Sequence, residues 1–157
     1  NKNLVKKYTW VDIGSSYALS EINCAFLLSQ LNKSKKITSQ RRSIWKLYFS
    51  IFSELKNKVQ LPYIPKETLS NGHIFFIILK DKNREKFLKL LNRKNVNAIF
   101  HYTPLHLSKM FMKNYKGKND LKNTNFICEN LVRLPLHNDI KKSDILMAKQ
   151  AVIEALN

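Results

Sequence analysis

Cysteine, glycine and proline are scarce: the chain has 2, 3 and 4 of them in 157 residues. Cys24 and Cys128 are too few for a disulfide framework and lack metal-ligand spacing, which suits a reducing cytoplasm. With so little glycine there is no Walker loop and no dinucleotide fingerprint, and no nucleophile–base motif is present either. The 11 Asp and Glu are dispersed, without the acidic pair that glycosidases need. No apolar run approaches the ~18–20 residues of a membrane span, and the basic start is not followed by a signal-peptide apolar region. Internal repeats, low-complexity tracts and Pro/Gly linkers are also missing.

What is present reads as one globular domain, 44% hydrophobic and 25% charged, long enough to bury a core. The net charge of +17 invites a nucleic-acid reading. Against it, the 28 basic residues are 23 Lys and only 5 Arg, and the lysines are spread along the chain. Arg is the side chain that grips phosphate and guanine in two-pronged fashion. Asn (17) and Ile (14) are abundant as well, the bias that an AT-rich coding sequence produces. The charge is therefore read as base composition on a solvated surface.

Along the chain, residues 1–19 are irregular or extended up to the turn Gly14-Ser15-Ser16. Ser20-Glu21 makes a helix start, a hydroxyl cap followed by an acid in the first turn. No Pro or Gly follows until Pro62, so one long helix, or two broken near residues 32–43, is expected. Ile22 to Leu31 is apolar on nearly every side, which predicts burial all round and hints at a missing domain or partner chain. Ile44 to Leu55 carries its apolar residues at spacings of three and four. Beyond Pro65, strands are expected at His73–Leu79, Val96–Tyr102 and Val132–Leu136. Helices are expected at Asn83–Lys94, Leu107–Tyr115, Thr124–Leu131 and Ser143–Leu156. The sum is an α+β domain: a long early helix and a small, mainly antiparallel sheet with helices.

Three places could carry chemistry. Gly14-Ser15-Ser16-Tyr17, ahead of a helix, is a tight turn whose hydroxyls also suit an anion. His101-Tyr102-Thr103-Pro104-Leu105-His106 leaves a strand end with two imidazoles and a phenol, a placement common for binding loops. No carboxylate or Cys completes a metal set there. Leu134-Pro135-Leu136-His137 reads as a strand end with an exposed His. The residues alone give a ligand edge and no catalytic machinery.

Taken in order, these segments resemble a known family. Lys7-Tyr8-Thr9-Trp10-Val11-Asp12-Ile13-Gly14-Ser15-Ser16-Tyr17, Ser20-Glu21, Gln30-Leu31, His101 to His106 and Leu134 to His137 are similar to the DegT/DnrJ-type nucleotide-sugar aminotransferases. The likeness is closest to the dTDP-4-amino-4,6-dideoxygalactose transaminases and covers essentially the whole chain. It implies the C-terminal small domain of an aspartate-aminotransferase-like (type I) pyridoxal-phosphate fold. Residues 1–19 would end the large-domain junction and 20–157 would form the small domain. The cofactor lysine would lie upstream, so no catalytic residue is expected in this chain and it should neither hold pyridoxal 5'-phosphate nor transaminate alone. The resemblance places Ser16 at the cofactor phosphate and Tyr8, Trp10, Tyr17, His101, Tyr102 and His106 near the sugar nucleotide. Many members carry Arg where this chain has Ala18, so no charge contact transfers there.

For the parent, the resemblance implies a cytoplasmic homodimer that moves an amino group from glutamate to a dTDP-4-keto-6-deoxyhexose for cell-surface polysaccharide synthesis. The large domain would cover Ile22 to Leu31; without it the fragment is expected to self-associate. Two other readings stay open: a basic nucleic-acid-binding module, and a non-catalytic interaction domain that has kept the fold.

Overall fold

The computed structural model describes residues 17–80, 83–115 and 121–157. The chain divides into two compact units, Asn1–Ser34 and Lys35–Asn157. In the first, α1 (Glu21–Asn32) starts where Ser20 caps it, the Ser20 hydroxyl accepting from the Asn23 amide at 3.4 Å. Ile22–Leu31, expected to need cover from a further domain or partner, is not buried within this chain: all 12 residues of α1 are exposed. A helix that is apolar on every side has no single face to seat, and its own unit supplies no other regular element among the described residues. The alternative of two helices is the one observed, since α2 (Ser34–Phe52) begins directly after Lys33.

In the second unit the amphipathic part of α2 buries Tyr48 and Phe52, with Ile44, Leu47 and Ile51 half-buried beside them. A 3-10 turn at Ser53–Leu55 ends the helix. Three strands follow: β1 (Val59–Gln60), β2 (Phe75–Leu79) and β3 (Leu131–Leu134). They form one antiparallel sheet in the order β1-β2-β3. Around it lie α3 (Arg84–Arg93), α4 (Lys109–Asn114), α5 (Lys122–Asn130) and α6 (Lys142–Leu156). The α+β expectation holds; β2, β3 and helices α3 to α6 fall within a few residues of their predicted places, while β1 is not among the expected strands.

One expected strand is missing. Val96–Tyr102 contributes only a single bridge, Ile99 to Arg133. Local bonds account for this: the Val96 amide bonds the Leu91 carbonyl and the Ala98 amide bonds the Val96 carbonyl. Asn95 turns the chain through φ 58°, a conformation Asn tolerates. Those amides are thereby taken out of any ladder, and the segment touches the sheet at one point.

Side chains alternate across the sheet. Phe75, Ile77, Leu79, Val132 and Leu134 point into the core, where they meet Tyr48 and Phe52 of α2, Phe87 and Leu91 of α3 and Ile145 and Val152 of α6. The Tyr48 ring stacks on Phe75 at 4.8 Å and its hydroxyl donates to the Pro135 carbonyl at 2.5 Å. Burial, with Asp144 adding to it, pushes the Tyr48 hydroxyl well above the usual phenol range. Phe76, Ile78 and Arg133 lie on the opposite face, Phe76 paired directly with Arg133.

The turn leading into β2 depends on Gly72. Its φ is +66°, and a Cβ there would sit 2.9 Å from the Arg41 carbonyl group. Gly72→Ala is expected to destabilise the unit by at least ~1–3 kcal/mol, the cost of strained left-handed backbone. A thermal melt within 1 °C of the parent would contradict the close approach.

Candidate functional site

The site is built where residues 100–107 leave the sheet. Ile99 is tied to β3 by reciprocal bonds with Arg133, 3.1 Å from the Ile99 amide and 2.8 Å to its carbonyl. Two residues on, His101 Nδ1 lies 3.4 Å from Arg133 Nη1. A guanidinium can only donate, so Nδ1 accepts and His101 carries its proton on Nε2. Burial first, then the charges of Arg133 and His73, hold the His101 imidazole below its ordinary pKa.

Tyr102 packs edge-on against the His101 ring at 4.7 Å and sits at φ 46°, where a bulky side chain is strained. Strain of this kind costs on the order of 1–3 kcal/mol and persists only where surrounding contacts impose it. Pro104 then opens a 3-10 turn, Leu105–Leu107, and Ser108 caps α4. His106, in that turn, is 7% exposed, and its Nε2 donates to Asn125 Oδ1 of α5 at 2.8 Å. In the neutral ring that bond leaves Nδ1 as the acceptor. Arg84, at the start of α3, braces the same edge from beneath. It donates to the Cys128 carbonyl of α5, and its guanidinium carbon lies 5.3 Å from the centre of the Phe100 ring. The Arg84 Nε is buried without a partner. A cavity of about 210 Å3 lies between Arg84, Tyr102 and Asn125.

The predicted site residues fall into three groups. His101, Tyr102 and His106 come together on one braced loop. Tyr17 is exposed in the first unit. Tyr8, Trp10 and Ser16 lie outside the described residues. His137 is exposed, as expected for the end of β3. Sequence reasoning missed Arg84, Asn125 and Arg133. A signal for the arginines existed: in a chain that uses Lys by default, four of five arginines, Arg41, Arg42, Arg84 and Arg133, bond a defined acceptor. No cluster of three or more His, Cys, Asp or Glu able to hold a metal occurs among the described residues. No helix among them is long and apolar enough to cross a membrane.

This small antiparallel sheet packed with helices is the fold of a part of the sugar aminotransferases. The chain belongs to the DegT/DnrJ/EryC1/StrS aminotransferase family, whose model matches residues 1–157. It is 27% identical over 150 residues to the uncharacterised protein MJ1066 of Methanocaldococcus jannaschii, covering 92% of this chain and 39% of that protein.

Among solved structures it is similar to DesV of S. venezuelae, determined with a ketimine intermediate. There the TM-score is 0.82 at 21% identity, over 97% of this chain and 40% of that one. Helicobacter pylori PseC, an aminotransferase of pseudoaminic acid biosynthesis, gives a TM-score of 0.76 at 21% identity, over 98% and 42%. The chain thus spans about two-fifths of the relatives it matches. Its fold is that of a part of the aspartate-aminotransferase-like sugar aminotransferases.

Aminotransferases of this family depend on pyridoxal phosphate. The described edge presents groups that hydrogen-bond a sugar or an anion, while the expected cofactor contact, Ser16, lies outside the described residues.

Proposed function

We propose that this chain is the C-terminal part of a pyridoxal-phosphate sugar aminotransferase. Residues 1–19 close the large-domain junction and 20–157 form the small domain. The whole protein aminates the 4-keto group of a dTDP-4-keto-6-deoxyhexose with glutamate as donor. It works as a cytoplasmic homodimer supplying cell-surface polysaccharide synthesis. The observation that carries this reading is the loop 100–107, whose two imidazoles are each held in one orientation by a partner on another element. Such bracing fits a group that must meet a ligand in fixed geometry.

The cofactor supplies an electron sink when bound to the large domain. The residues of this chain orient the sugar nucleotide: His101 offers Nε2–H, Tyr102 its phenol, and His106 an acceptor at Nδ1. The family resemblance assigns Tyr8, Trp10 and Tyr17 to the sugar nucleotide as well, and Ser16 to the cofactor phosphate. The chain by itself does not hold the cofactor.

The test is made in the whole protein. His106→Ala should lower kcat/KM for the nucleotide sugar by roughly tenfold or more, the loss of at least one well-made hydrogen bond. Cofactor binding should stay nearly intact. An unchanged kcat/KM removes His106 from the substrate site.

A further inference from the structure

The sheet's second face carries an arrangement that the fold does not need. Phe76 of β2 and Arg133 of β3 are direct partners in the ladder, so their side chains leave the sheet on the same side. The bridge to Ile99 brings the 99–101 segment alongside, and His101 reaches the Arg133 guanidinium at 3.4 Å. His73, just ahead of β2, is close enough for its charge to act on His101, and the His73 carbonyl accepts from Arg41 at 3.3 Å. Among the described residues, the charged groups that lower the His101 pKa are an arginine and a histidine. Arg133 is thus a full positive charge with no ion-pair partner among the described residues, and a bound anion supplies one. Phe76 and His73 also line a neighbouring cavity of about 350 Å3 with Trp45 and Tyr63. An aromatic-lined hollow near a guanidinium and a neutral imidazole N–H suits a ligand that is part ring and part phosphate.

We propose that Arg133 and His101 form a phosphate-binding subsite, in which Arg133 grips the phosphoryl oxygens and also fixes His101 with Nε2–H turned towards them. The proposal rests on the nucleotide-sugar reading above and adds to it the residue that holds a phosphate of the nucleoside diphosphate. Arg133 is the specific requirement. A lysine supplies charge but cannot both donate to His101 Nδ1 and present a planar fork to the anion.

The chain is titrated with inorganic pyrophosphate at ~0.15 M salt, where diffuse attraction to a +17 surface is screened. The His101 imidazole is followed by NMR. Saturable binding that raises the His101 pKa is expected. Arg133→Gln should weaken binding by about tenfold or more, the scale of one charge-assisted contact. Arg133→Lys should recover only part of that loss, and Lys89→Gln, on exposed α3 surface, should recover or lose nothing. Arg133→Lys also serves if the Gln variant does not fold.

The absence of saturable binding, or equal binding by the Arg133 variants and the parent, overturns the subsite. The nucleotide-sugar reading is separated by a dTDP-hexose titration. If Arg133-dependent pyrophosphate binding is seen and the dTDP-hexose binds no tighter, the subsite stands and that reading falls. If the dTDP-hexose binds tightly and Arg133→Gln leaves it unchanged, the reading stands and the subsite falls.

Discussion

Phe75→Ala is expected to cost the second unit ~3–5 kcal/mol, the usual toll of emptying a buried phenylalanine site. Phe75 is fully buried at the centre of an aromatic cluster. Tyr48 stacks on it at 4.8 Å, Trp45 meets it edge-on at 5.6 Å and Phe52 lies at 5.7 Å. Three rings from one helix therefore converge on one strand residue, and none can refill the gap without losing its own packing. Set against a domain stability of ~5–15 kcal/mol, the loss brings the fold near its limit. Phe75→Leu keeps most of the volume and should cost less than half as much.

Urea denaturation measures both variants; a Phe75→Ala midpoint equivalent to under ~1 kcal/mol would contradict the cluster's central role. The site should follow the core. Phe75 pairs with Leu134 and the next pair along is Phe76 with Arg133, so loosening the first pair frees the guanidinium that holds His101.

Much of this fold was legible in the sequence because its elements are long or strongly patterned. The spacing of Ile44, Leu47, Tyr48, Ile51 and Phe52 marks the face of α2 that packs on the sheet, and the continuous apolar run at Phe75–Leu79 marks the central strand. Two residues of edge strand at Val59–Gln60 leave no period to read. Val96–Tyr102 has strand composition, yet the bonds of Val96 and Ala98 to nearby carbonyls decide its path, and those depend on Asn95 turning through positive φ. Local chemistry overrode propensity there.

At the site, His101, Tyr102 and His106 could be picked out because imidazoles at a strand end are conspicuous. Their supports could not. Asn125 stands 19 residues from His106 and Arg133 stands 32 from His101, separations that only the fold closes. The rarity of Arg in a Lys-rich chain was the one clue, since a forked donor is wanted where geometry matters and not where mere charge will do.

The second large effect concerns α1. At about a hundred micromolar the chain is expected to self-associate through this helix. Ile22 is 83% exposed and Phe26 70%, and Leu27, Leu28 and Leu31 are exposed too. Because these residues surround the helix, no rotation hides them all, and a neighbour on one side still leaves apolar surface on the other. Isolated patches of a few hundred Å2 are tolerated on soluble proteins, but larger ones find partners. At ~25 cal/mol per Å2, hiding ~400 Å2 is worth roughly 10 kcal/mol before the costs of association. The smallest of those costs, ~4 kcal/mol, leaves about 6 kcal/mol, which corresponds to a dissociation constant of tens of micromolar.

Sedimentation across a concentration series measures it. Phe26→Glu with Leu28→Glu should return a monomer, since a carboxylate in the contact must be desolvated without a partner. Neither change touches the second unit's core, so its melting temperature should be unaltered. A parent chain that stays monomeric at several hundred micromolar would show that the exposed helix needs no cover. In the whole aminotransferase proposed above, the same helix is covered by the large domain, and the double variant should there weaken stability where in the fragment it only prevents association.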